Sequence, residues 1–416
     1  MPDTRNQDAI GYDPFEPTVM ANPYPYYRKL RQHAPVYYTP KYDTFWLSRF
    51  DGLVEMLEKP RNVLLSTESS IPMPEVLLRH HDGKPPLASL DPLAPMTLLH
   101  SPIYEEIRFA HSKPFRAAEV AKLEEFTRIT TIRLLEDALP RGTFDLFLDY
   151  GGMLSALLTC KLFGIEDSSA REILETVNAT TSYDPDRGGI DNSLFFSQMK
   201  RFMLPSIARR RAEGADGSEP LFDGLINYRM KPGGRALSDD EIADELTCAF
   251  IANTETPGKV AAQGLLALQQ HPDQLAAVRC DLAVNVPVAV EEMLRLCAPA
   301  QWFLRTIHED TEIGGVSMKA GQRVAGLVTS ASRDEREYEN SEEFIWNRRI
   351  RKQLAFGMGL HHCLGLHIAR LQIRILVEEF LARVDHYSFD LGKAVLRPSY
   401  FHWAYSSLPV TVASHD

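Results

Sequence analysis

The chain has 416 residues, of which 44% are hydrophobic and 24% charged, as in an ordinary globular protein. Its formal net charge of −11 argues against nonspecific binding to nucleic acid, which needs a cationic surface. Five cysteines without a CxxC pair argue against a disulfide framework or a zinc cluster and favour a reduced, cytoplasmic protein. No stretch approaches the ~20 apolar residues of a membrane span, and Met1–Asn22 does not have the pattern of a signal peptide.

The first third of the chain predicts a β-rich segment followed by helices. A short helix is expected at 26–32, and β-rich runs at 36–38 and 44–47. Six prolines within 71–96 exclude one long helix or a central strand there. Helical patterns then cover 102–139 and 145–162.

The longest predicted helix covers 238–270. It opens with Ser238 and Glu241, spaced as in a capping box, and ends before Pro272. At 1.5 Å per residue its length is roughly 45–50 Å, enough to cross a whole domain. A loop is expected before it at 183–191, and Pro287 is expected to start a further helix that runs through Cys297.

Cys363 is the residue on which the functional interpretation depends. It lies in Phe-Gly-Met-Gly-Leu-His-His-Cys-Leu-Gly, residues 356–365. The glycines allow positive φ and a close approach to a flat ligand. Helical spacing resumes at Leu364, so the thiol is expected at a helix N-terminus, where the thiolate is favoured. This pattern predicts a thiolate ligand for haem iron; the alternative is a buried cysteine that only packs.

This segment resembles the haem-binding loop of the cytochrome P-450 superfamily, and every fixed position of the family pattern is filled. The resemblance implies a mainly α fold with small β-sheets, forming one triangular domain over 1–416. The β-rich part would cover about 22–70, the helical core about 102–300 and 363–384, and the haem-thiolate loop 356–365. The implied cofactor is haem b, with Cys363 as the iron ligand and Phe356, Gly357, His361 and Gly365 around it.

Residues 252–258 resemble the oxygen-activation motif of this family. The motif implies that Thr256 holds dioxygen and ordered water by hydrogen bonds, while Glu255 relays protons from solvent. Pro257 removes the helical partner of the Asn253 carbonyl, which favours a water site. Asn253 replaces the usual glycine and would add hydrogen-bonding groups over the haem. The alternative is a threonine bonded to the preceding turn and a solvent-facing glutamate.

Further residues match family positions that hold the haem or lock the fold. Glu292, Arg295 and Arg348 resemble the structural triad of one glutamate and two arginines. The resemblance also assigns haem-propionate contacts to Tyr104, Arg108, Arg305 and His361. Tyr104 and Gln353 stand where the family more often has histidine. For each of these residues a purely structural or solvated role is the alternative.

The resemblance implies a monooxygenase that inserts one atom of dioxygen into a small apolar substrate. Electrons would come from NAD(P)H through a ferredoxin, and the expected state is monomeric. The alternatives are a peroxide-driven peroxygenase and a non-catalytic haem-thiolate sensor or carrier. Residues near the implied substrate space are Ala249, Phe250, Asn253, Gln301, Trp302, Phe303, Tyr400, Phe401 and Trp403. Basic residues that could receive an acidic ferredoxin are Lys113, Arg116, Arg349, Arg351, Lys352 and Arg370.

Overall fold

The computed structural model describes residues 10–60, 62–68, 74–87, 89, 95–181, 192–230 and 233–413. These residues form a mainly α structure with small β-sheets, which confirms the predicted fold class. The loop expected at 183–191 lies outside the described residues, as does part of the proline-rich run at 71–96. The described part of that run contains a short helix, turns, an isolated β-bridge at Ser89 and the start of a 3-10 helix at Met96.

The helices carry most of the described chain. Numbered in chain order, they are α1 (Pro17–Ala21), α2 (Tyr24–His33), α3 (Phe50–Glu58), α4 (Pro74–Leu77), α5 (Ile103–His111), α6 (Ala117–Ala121), α7 (Glu124–Ala138), α8 (Gly152–Leu162), α9 (Ala170–Thr180), α10 (Asn192–Glu213), α11 (Pro220–Asn227), α12 (Asp239–Gln269), α13 (Pro272–Arg279), α14 (Leu282–Cys297), α15 (Val328–Ala331) and α16 (Leu366–Arg383). A π-helical turn, Leu146–Gly151, leads into α8.

The strands form small sheets at the periphery of the helical core. They are β1 (Val36–Thr39), β2 (Thr44–Leu47), β3 (Leu64–Leu65), β4 (Thr143–Asp145), β5 (Trp302–Ile307), β6 (Thr311–Ile313), β7 (Val316–Met318), β8 (Arg323–Leu327), β9 (Tyr387–Phe389), β10 (Val395–Leu396), β11 (Tyr405–Ser407) and β12 (Pro409–Val412). The largest sheet has the order β1-β2-β8-β5-β3, in which only β2 and β8 are parallel. This sheet combines the two β-rich runs predicted near the N-terminus with strands more than 250 residues later.

Helix α12 crosses the core and packs against α8, α10, α14 and α16. Its N-terminus has the predicted capping box: Ser238 N–H donates to Glu241 Oε2 (2.7 Å), and Glu241 N–H donates to Ser238 Oγ (3.3 Å). Farther along, Gly258 lies directly against the backbone of Gly151. A Cβ at Gly258 would lie 2.5 Å from the Gly151 carbonyl carbon. The two glycines therefore allow α12 to approach the π-helical turn more closely than any other pair of residues could.

Two predicted helix starts were wrong. Helix α14 begins at Leu282, not at Pro287, because the Asp281 carboxylate accepts the Val284 N–H and caps the helix five residues earlier. Helix α16 begins at Leu366 after Gly365, so Cys363 precedes the first helical residue by three positions. The cysteine loop thus ends in a turn before the helix, and the thiol is not in the first helical turn.

Candidate active site

The cysteine loop is closed by backbone contacts. The Gln353 side chain accepts the Ala355 N–H (3.3 Å) and donates to the Glu291 carbonyl (2.9 Å), anchoring the start of the loop to α14. Gly357 and Gly359 have φ of +62° and +71°, the left-handed region that other residues rarely adopt. The Cys363 N–H then donates to the Phe356 carbonyl (2.9 Å). The loop therefore fixes the position of the thiol by its own backbone.

The Cys363 side chain is half-buried and its thiol forms no disulfide. Burial raises the pKa of this thiol, against the opposing effect of the Gly365 backbone N–H. Because the thiol precedes the helix by three positions, the helix N-terminus does not offset this effect of burial on the pKa of the Cys363 thiol. A bound cation would be needed to hold the sulfur ionised, which is the behaviour of a metal ligand.

Four predicted haem-propionate residues come together beside this loop. Arg108 donates to the Tyr104 hydroxyl (2.5 Å) and to the His362 carbonyl (2.8 Å), and the Tyr104 and His361 rings lie 4.5 Å apart. Burial, together with the charges of Arg305, His100 and Arg108, lowers the pKa of His361 to about 2. Burial also lowers the pKa of Arg305 to about 10.

This cluster is rich in hydrogen-bond donors and poor in acceptors. Within the described part of the chain, no carboxylate forms an ion pair with Arg108 or Arg305. Enclosed guanidinium groups without a counter-charge are costly. The donor set therefore fits a ligand that brings its own carboxylates, as haem does.

One stripe of α12 is open, although the helix is otherwise largely buried over this stretch. Cys248 and Ala249 are half-buried, Ala252 is exposed and Thr256 is half-buried, and their spacing of three and four residues places them on one face. The intervening residues Phe250, Ile251, Asn253, Thr254 and Glu255 are buried. The open stripe indicates the side of α12 that faces a ligand cavity.

Thr256 lies on this open stripe with a free hydroxyl. Thr247 and Thr254 on the same helix donate back to the carbonyls of Ala243 (2.8 Å) and Phe250 (2.7 Å). Thr256 makes no such bond among the described residues, so the alternative of a hydroxyl bonded to the preceding turn does not apply to it. Its hydroxyl can bind a ligand or water in the cavity.

Glu255 is fully buried, so the alternative of a solvent-facing glutamate is wrong. Its carboxylate forms an ion pair with Lys259 and accepts a hydrogen bond from the Thr181 hydroxyl (2.8 Å). Burial alone would raise the pKa of Glu255, but the charge of Lys259 and the contact with His402 lower it to about 2. Lys259, Thr181 and His402 were not singled out in the sequence. Lys259 could have been found, because it follows Glu255 by four residues on the same helix.

Asn253 and Phe250 do not lie on the open stripe. The Asn253 amide donates to the Thr159 hydroxyl (2.8 Å) and accepts from the Gln372 amide (3.0 Å), which links α12 to α8 and α16. Phe250 packs in the core against Phe163, with ring centroids 5.0 Å apart. The expectation that these two side chains face the haem or the substrate is therefore wrong, because each is held between helices.

Strand β5 divides its residues between the core and the site. Phe303 and Arg305 alternate with Trp302 and Leu304, so the first pair shares one face, and the Arg305 guanidinium lies 5.6 Å from the centre of the Phe303 ring. The Trp302 side chain lies on the opposite face of the strand, where it is buried and donates to the Tyr400 carbonyl (2.6 Å). Phe303 thus remains a candidate substrate contact, whereas Trp302 is a core residue.

The C-terminal turn is similarly divided. Phe401 is half-buried and stacks on His402 at 4.5 Å. Trp403 instead donates to the Ala21 carbonyl (3.2 Å) and packs on Tyr24. Gln301 is buried and hydrogen-bonded to Tyr27 (2.8 Å). Of these predicted substrate residues, Phe401 remains a candidate, and Gln301, Tyr400 and Trp403 have structural contacts.

The predicted triad is assembled as expected. Arg295 donates to both oxygens of Glu292 (2.7 Å each), and Arg348 donates to Glu292 Oε1 (3.1 Å). The guanidinium of Arg295 also donates to the carbonyls of Ser332 (2.6 Å) and Ser341 (2.7 Å). The triad therefore ties α14 to the irregular segment that precedes the cysteine loop.

The basic residues expected at a docking surface differ in whether a carboxylate pairs with their charge. Lys352 forms an ion pair with Glu58 (2.8 Å), and Arg370 forms a two-pronged pair with Glu291 (2.6 and 3.0 Å). Of the six docking candidates, Lys113, Arg116, Arg349 and Arg351 are exposed and form no ion pair with another described residue. Lys352 and Arg370 therefore contribute less net positive charge than the sequence suggested.

Comparison with known proteins agrees with this fold. The sequence profile of the family described as "Cytochrome P450" matches residues 162–394. The chain is 30% identical over 359 residues to "Putative cytochrome P450 126" of Mycobacterium tuberculosis, covering 84% of this chain and 83% of that protein. It is 27% identical over 407 residues to "Putative cytochrome P450 123" of Mycobacterium bovis, covering 96% of each. The substrate-free structure of Mycobacterium marinum CYP150A6 superimposes with a TM-score of 0.81 at 20% identity, covering 98% of this chain and 100% of that one.

The chain belongs to the cytochrome P450 family, whose members are generally monooxygenases with a haem iron cofactor. Among the described residues, no helix combines the length and the apolar character that crossing a bilayer requires.

Proposed function

We propose that this protein is a haem-thiolate monooxygenase that inserts one atom of dioxygen into a small apolar substrate. The observation that carries the proposal is the pairing of two features. A half-buried cysteine in a glycine loop adjoins a cluster of arginine, tyrosine and histidine whose arginines form no ion pair with a carboxylate of the described residues, and α12 presents an open stripe on which the Thr256 hydroxyl has no partner among them. Haem b, when bound, supplies the activation of dioxygen.

In this proposal each residue near the cofactor has a defined task. Cys363 is the thiolate ligand, and Phe356, Gly357 and Gly365 shape the loop around it. Arg108, Arg305, His361 and Tyr104 hold the propionates through charge-assisted hydrogen bonds. These donors orient the cofactor without needing carboxylates from the protein.

Thr256 and Glu255 form the acid–alcohol pair of the proposed reaction. With the cofactor in place, the Thr256 hydroxyl would orient dioxygen and an ordered water in the cavity by hydrogen bonds. The Glu255 carboxylate moves protons toward that water. General acid–base transfer by a positioned side chain accelerates reactions by about 10²–10⁴-fold. A rate effect of this size is enough for the acid–alcohol pair to control turnover.

The substrate is proposed to be apolar because the candidate contacts are Ala249, Phe303 and Phe401, none of which carries a charge. Electrons are proposed to come from NAD(P)H through a ferredoxin that docks on Lys113, Arg116 and Arg351, with Lys352 and Arg370 at the edge of that surface. A monomer in the cytoplasm is part of the same proposal.

The coordination is tested by reducing the protein under carbon monoxide. We expect a Soret band with the far-red displacement that sulfur ligation produces, lost in Cys363→Ser and retained in Cys280→Ser, which changes an exposed thiol. A band without that displacement in the wild-type protein contradicts the proposal.

Two alternatives are separated by the source of oxidant. A peroxygenase requires hydrogen peroxide, and a sensor or carrier binds gas without turnover. NADH consumption with a ferredoxin and its reductase, coupled to product, supports the monooxygenase. The acid–alcohol pair favours the monooxygenase over the peroxygenase, because the resembling peroxygenases have arginine and proline there.

A further inference from the structure

The two oxygens of the Glu255 carboxylate have different surroundings. Oε1 binds Lys259 and accepts from the Thr181 hydroxyl (2.8 Å). Oε2 is buried and has no hydrogen-bond partner among the described residues, but it faces His402 Nδ1 at 3.6 Å. That nitrogen is also buried and without a hydrogen-bond partner. Two unsatisfied polar atoms therefore face each other inside the protein.

These groups come from separate parts of the chain. Lys259 lies one turn after Glu255 on α12, and Thr181 follows the end of α9. His402 lies in the turn before β11, where its backbone pairs with Ala300. Among the described residues, Lys259 and His402 are the titratable groups within ion-pair distance of the Glu255 carboxylate. The carboxylate is therefore shared between a fixed cation and a histidine.

The fixed cation limits what Glu255 can do alone. Because the charge of Lys259 and the contact with His402 together lower the pKa of Glu255 to about 2 against the opposing effect of burial, the carboxyl carries no proton of its own near neutral pH. If protons reach the cavity through the Glu255 carboxyl, a second group must therefore donate them to it. Histidine is the side chain whose charge ordinarily changes near physiological pH. The His402 side chain is 15% exposed, so it also has a route to water.

We propose that His402 is the proton donor to Glu255, so that protons for the Thr256 side of the cavity enter from the C-terminal turn. This inference rests on the proposed function. In the transfer, the Nδ1–H bond of the imidazolium breaks and an O–H bond forms on Glu255 Oε2. The proton then passes to an acceptor on the Thr256 side, and water returns a proton to His402. No electrons are exchanged.

The 3.6 Å separation is longer than a hydrogen bond, as is common for catalytic contacts before a ligand is bound. A small rotation of the imidazole or one bridging water completes the path. Lys259 and Thr181 act as positioning residues in this arrangement, because they hold Oε1 and leave Oε2 directed at His402.

The first experiment compares two oxidants in His402→Gln, with His386→Gln as the matched control at an exposed histidine. Styrene is the probe, and styrene oxide is the measured product. With NADH, a ferredoxin and its reductase, we expect His402→Gln to lower the rate by about 10²-fold or more, within the range of proton transfer by a positioned side chain. Hydrogen peroxide brings its own two electrons and two protons, so the peroxide-driven rate should remain unchanged.

Equal dioxygen-driven rates in the wild type and His402→Gln overturn the inference, as does an equal loss with both oxidants, which indicates a structural role. No styrene oxide from the wild type with either oxidant contradicts the proposed function instead. The inference is then still tested by a measurement that needs no turnover.

The second measurement records the ¹⁵N NMR signals of the histidine side chains in the diamagnetic carbon monoxide complex of the reduced protein. The His402 signal is assigned by its loss in His402→Gln. If His402 Nδ1 faces the Glu255 carboxylate, Glu255→Gln should change the Nδ1 chemical shift of His402, whereas the His386 signals should stay unchanged. An identical Nδ1 shift of His402 in the wild type and Glu255→Gln overturns the inference.

Discussion

Glu292 and Arg295, one helical turn apart, form a buried two-pronged ion pair in which both N–H···O distances are 2.7 Å. The same carboxylate also binds Arg348, so one negative charge serves two guanidinium groups. Such a network fixes geometry more than it adds net stability, because the desolvation of the charges offsets most of their attraction. Its rigidity holds the segment that leads into the cysteine loop.

We predict that Glu292→Gln destabilises the protein by about 3–5 kcal/mol, because it leaves two enclosed guanidinium groups without a counter-charge. Urea unfolding measures the change. Glu312→Gln, on an exposed strand position, is the control and should change the free energy of unfolding by less than about 0.5 kcal/mol. Similar small effects for both substitutions would show that the triad is not structural.

Thr256→Ala should retain the spectrum of the bound cofactor and the binding of substrate but release hydrogen peroxide, since the hydroxyl that orients dioxygen and water is gone. Product formed per NADH should fall severalfold, and Thr256→Ser should restore most of it. The control is Thr247→Ala, which removes a back-bonded hydroxyl of the same helix. Full coupling in Thr256→Ala would contradict the role assigned to Thr256.

Asn253→Gly, which creates the residue typical of the family, should destabilise this protein by roughly 3 kcal/mol. The change removes two buried hydrogen bonds to Thr159 and Gln372 and adds a helical glycine. Ala252→Gly is the control, because it changes only helix propensity and should cost about 1 kcal/mol. If the two variants unfold at the same urea concentration, the amide bridge contributes nothing to stability.

Gly258→Ala should destabilise the protein by about 1–3 kcal/mol, although alanine is the better helix former. The new methyl group would meet the Gly151 backbone at 2.5 Å, and backbone cannot move aside cheaply. Gly52→Ala in α3 is the matched control, because its methyl group meets no atom within 4 Å and should stabilise the helix. Thermal unfolding of both variants measures the difference, and a stabilised Gly258→Ala would show that α12 can move.

The stability contributed by Glu255 should depend on pH in the acid range. Its folded-state pKa, about 2, is depressed below the ordinary value, so its contribution is present above about pH 4.5 and is lost as the pH falls toward 2. The total loss is roughly 3 kcal/mol. The free energy of unfolding should therefore decrease more steeply over that range in the wild type than in Glu255→Gln. Parallel curves would mean that the Lys259 pair does not hold the carboxylate ionised.

Much of the fold could be predicted because its signals are local. The capping box of Ser238 and Glu241 set the start of α12, and Pro272 set its limit to within three residues. The first two strands were placed correctly from their β-branched and aromatic residues. The start of α14 was missed because a proline was given more weight than the Asp281 cap.

Site residues could be predicted where their contacts are with neighbours in the sequence. They were predicted less well where their role depends on the direction in which the side chain points. The Glu292–Arg295 pair and the Arg108–Tyr104 contact follow from helical spacing and are present, whereas Arg348 was assigned to the triad by family resemblance. Phe250, Asn253 and Trp302 were assigned to the wrong side, because one step along a helix or strand turns a side chain away from the cavity. No linear pattern predicts which of two adjacent residues faces a ligand.

The sequence by itself determined the family, the helical class of the fold and the single cysteine suited to bind haem iron, because these depend on residue types at fixed short spacing. Only the tertiary structure decided that Glu255 is buried against Lys259, that Thr256 keeps a free hydroxyl and that His402 reaches the same carboxylate. The reason is physical. The contact between Glu255 and His402 joins residues 147 positions apart, and it arises only when the C-terminal turn packs against the middle of α12.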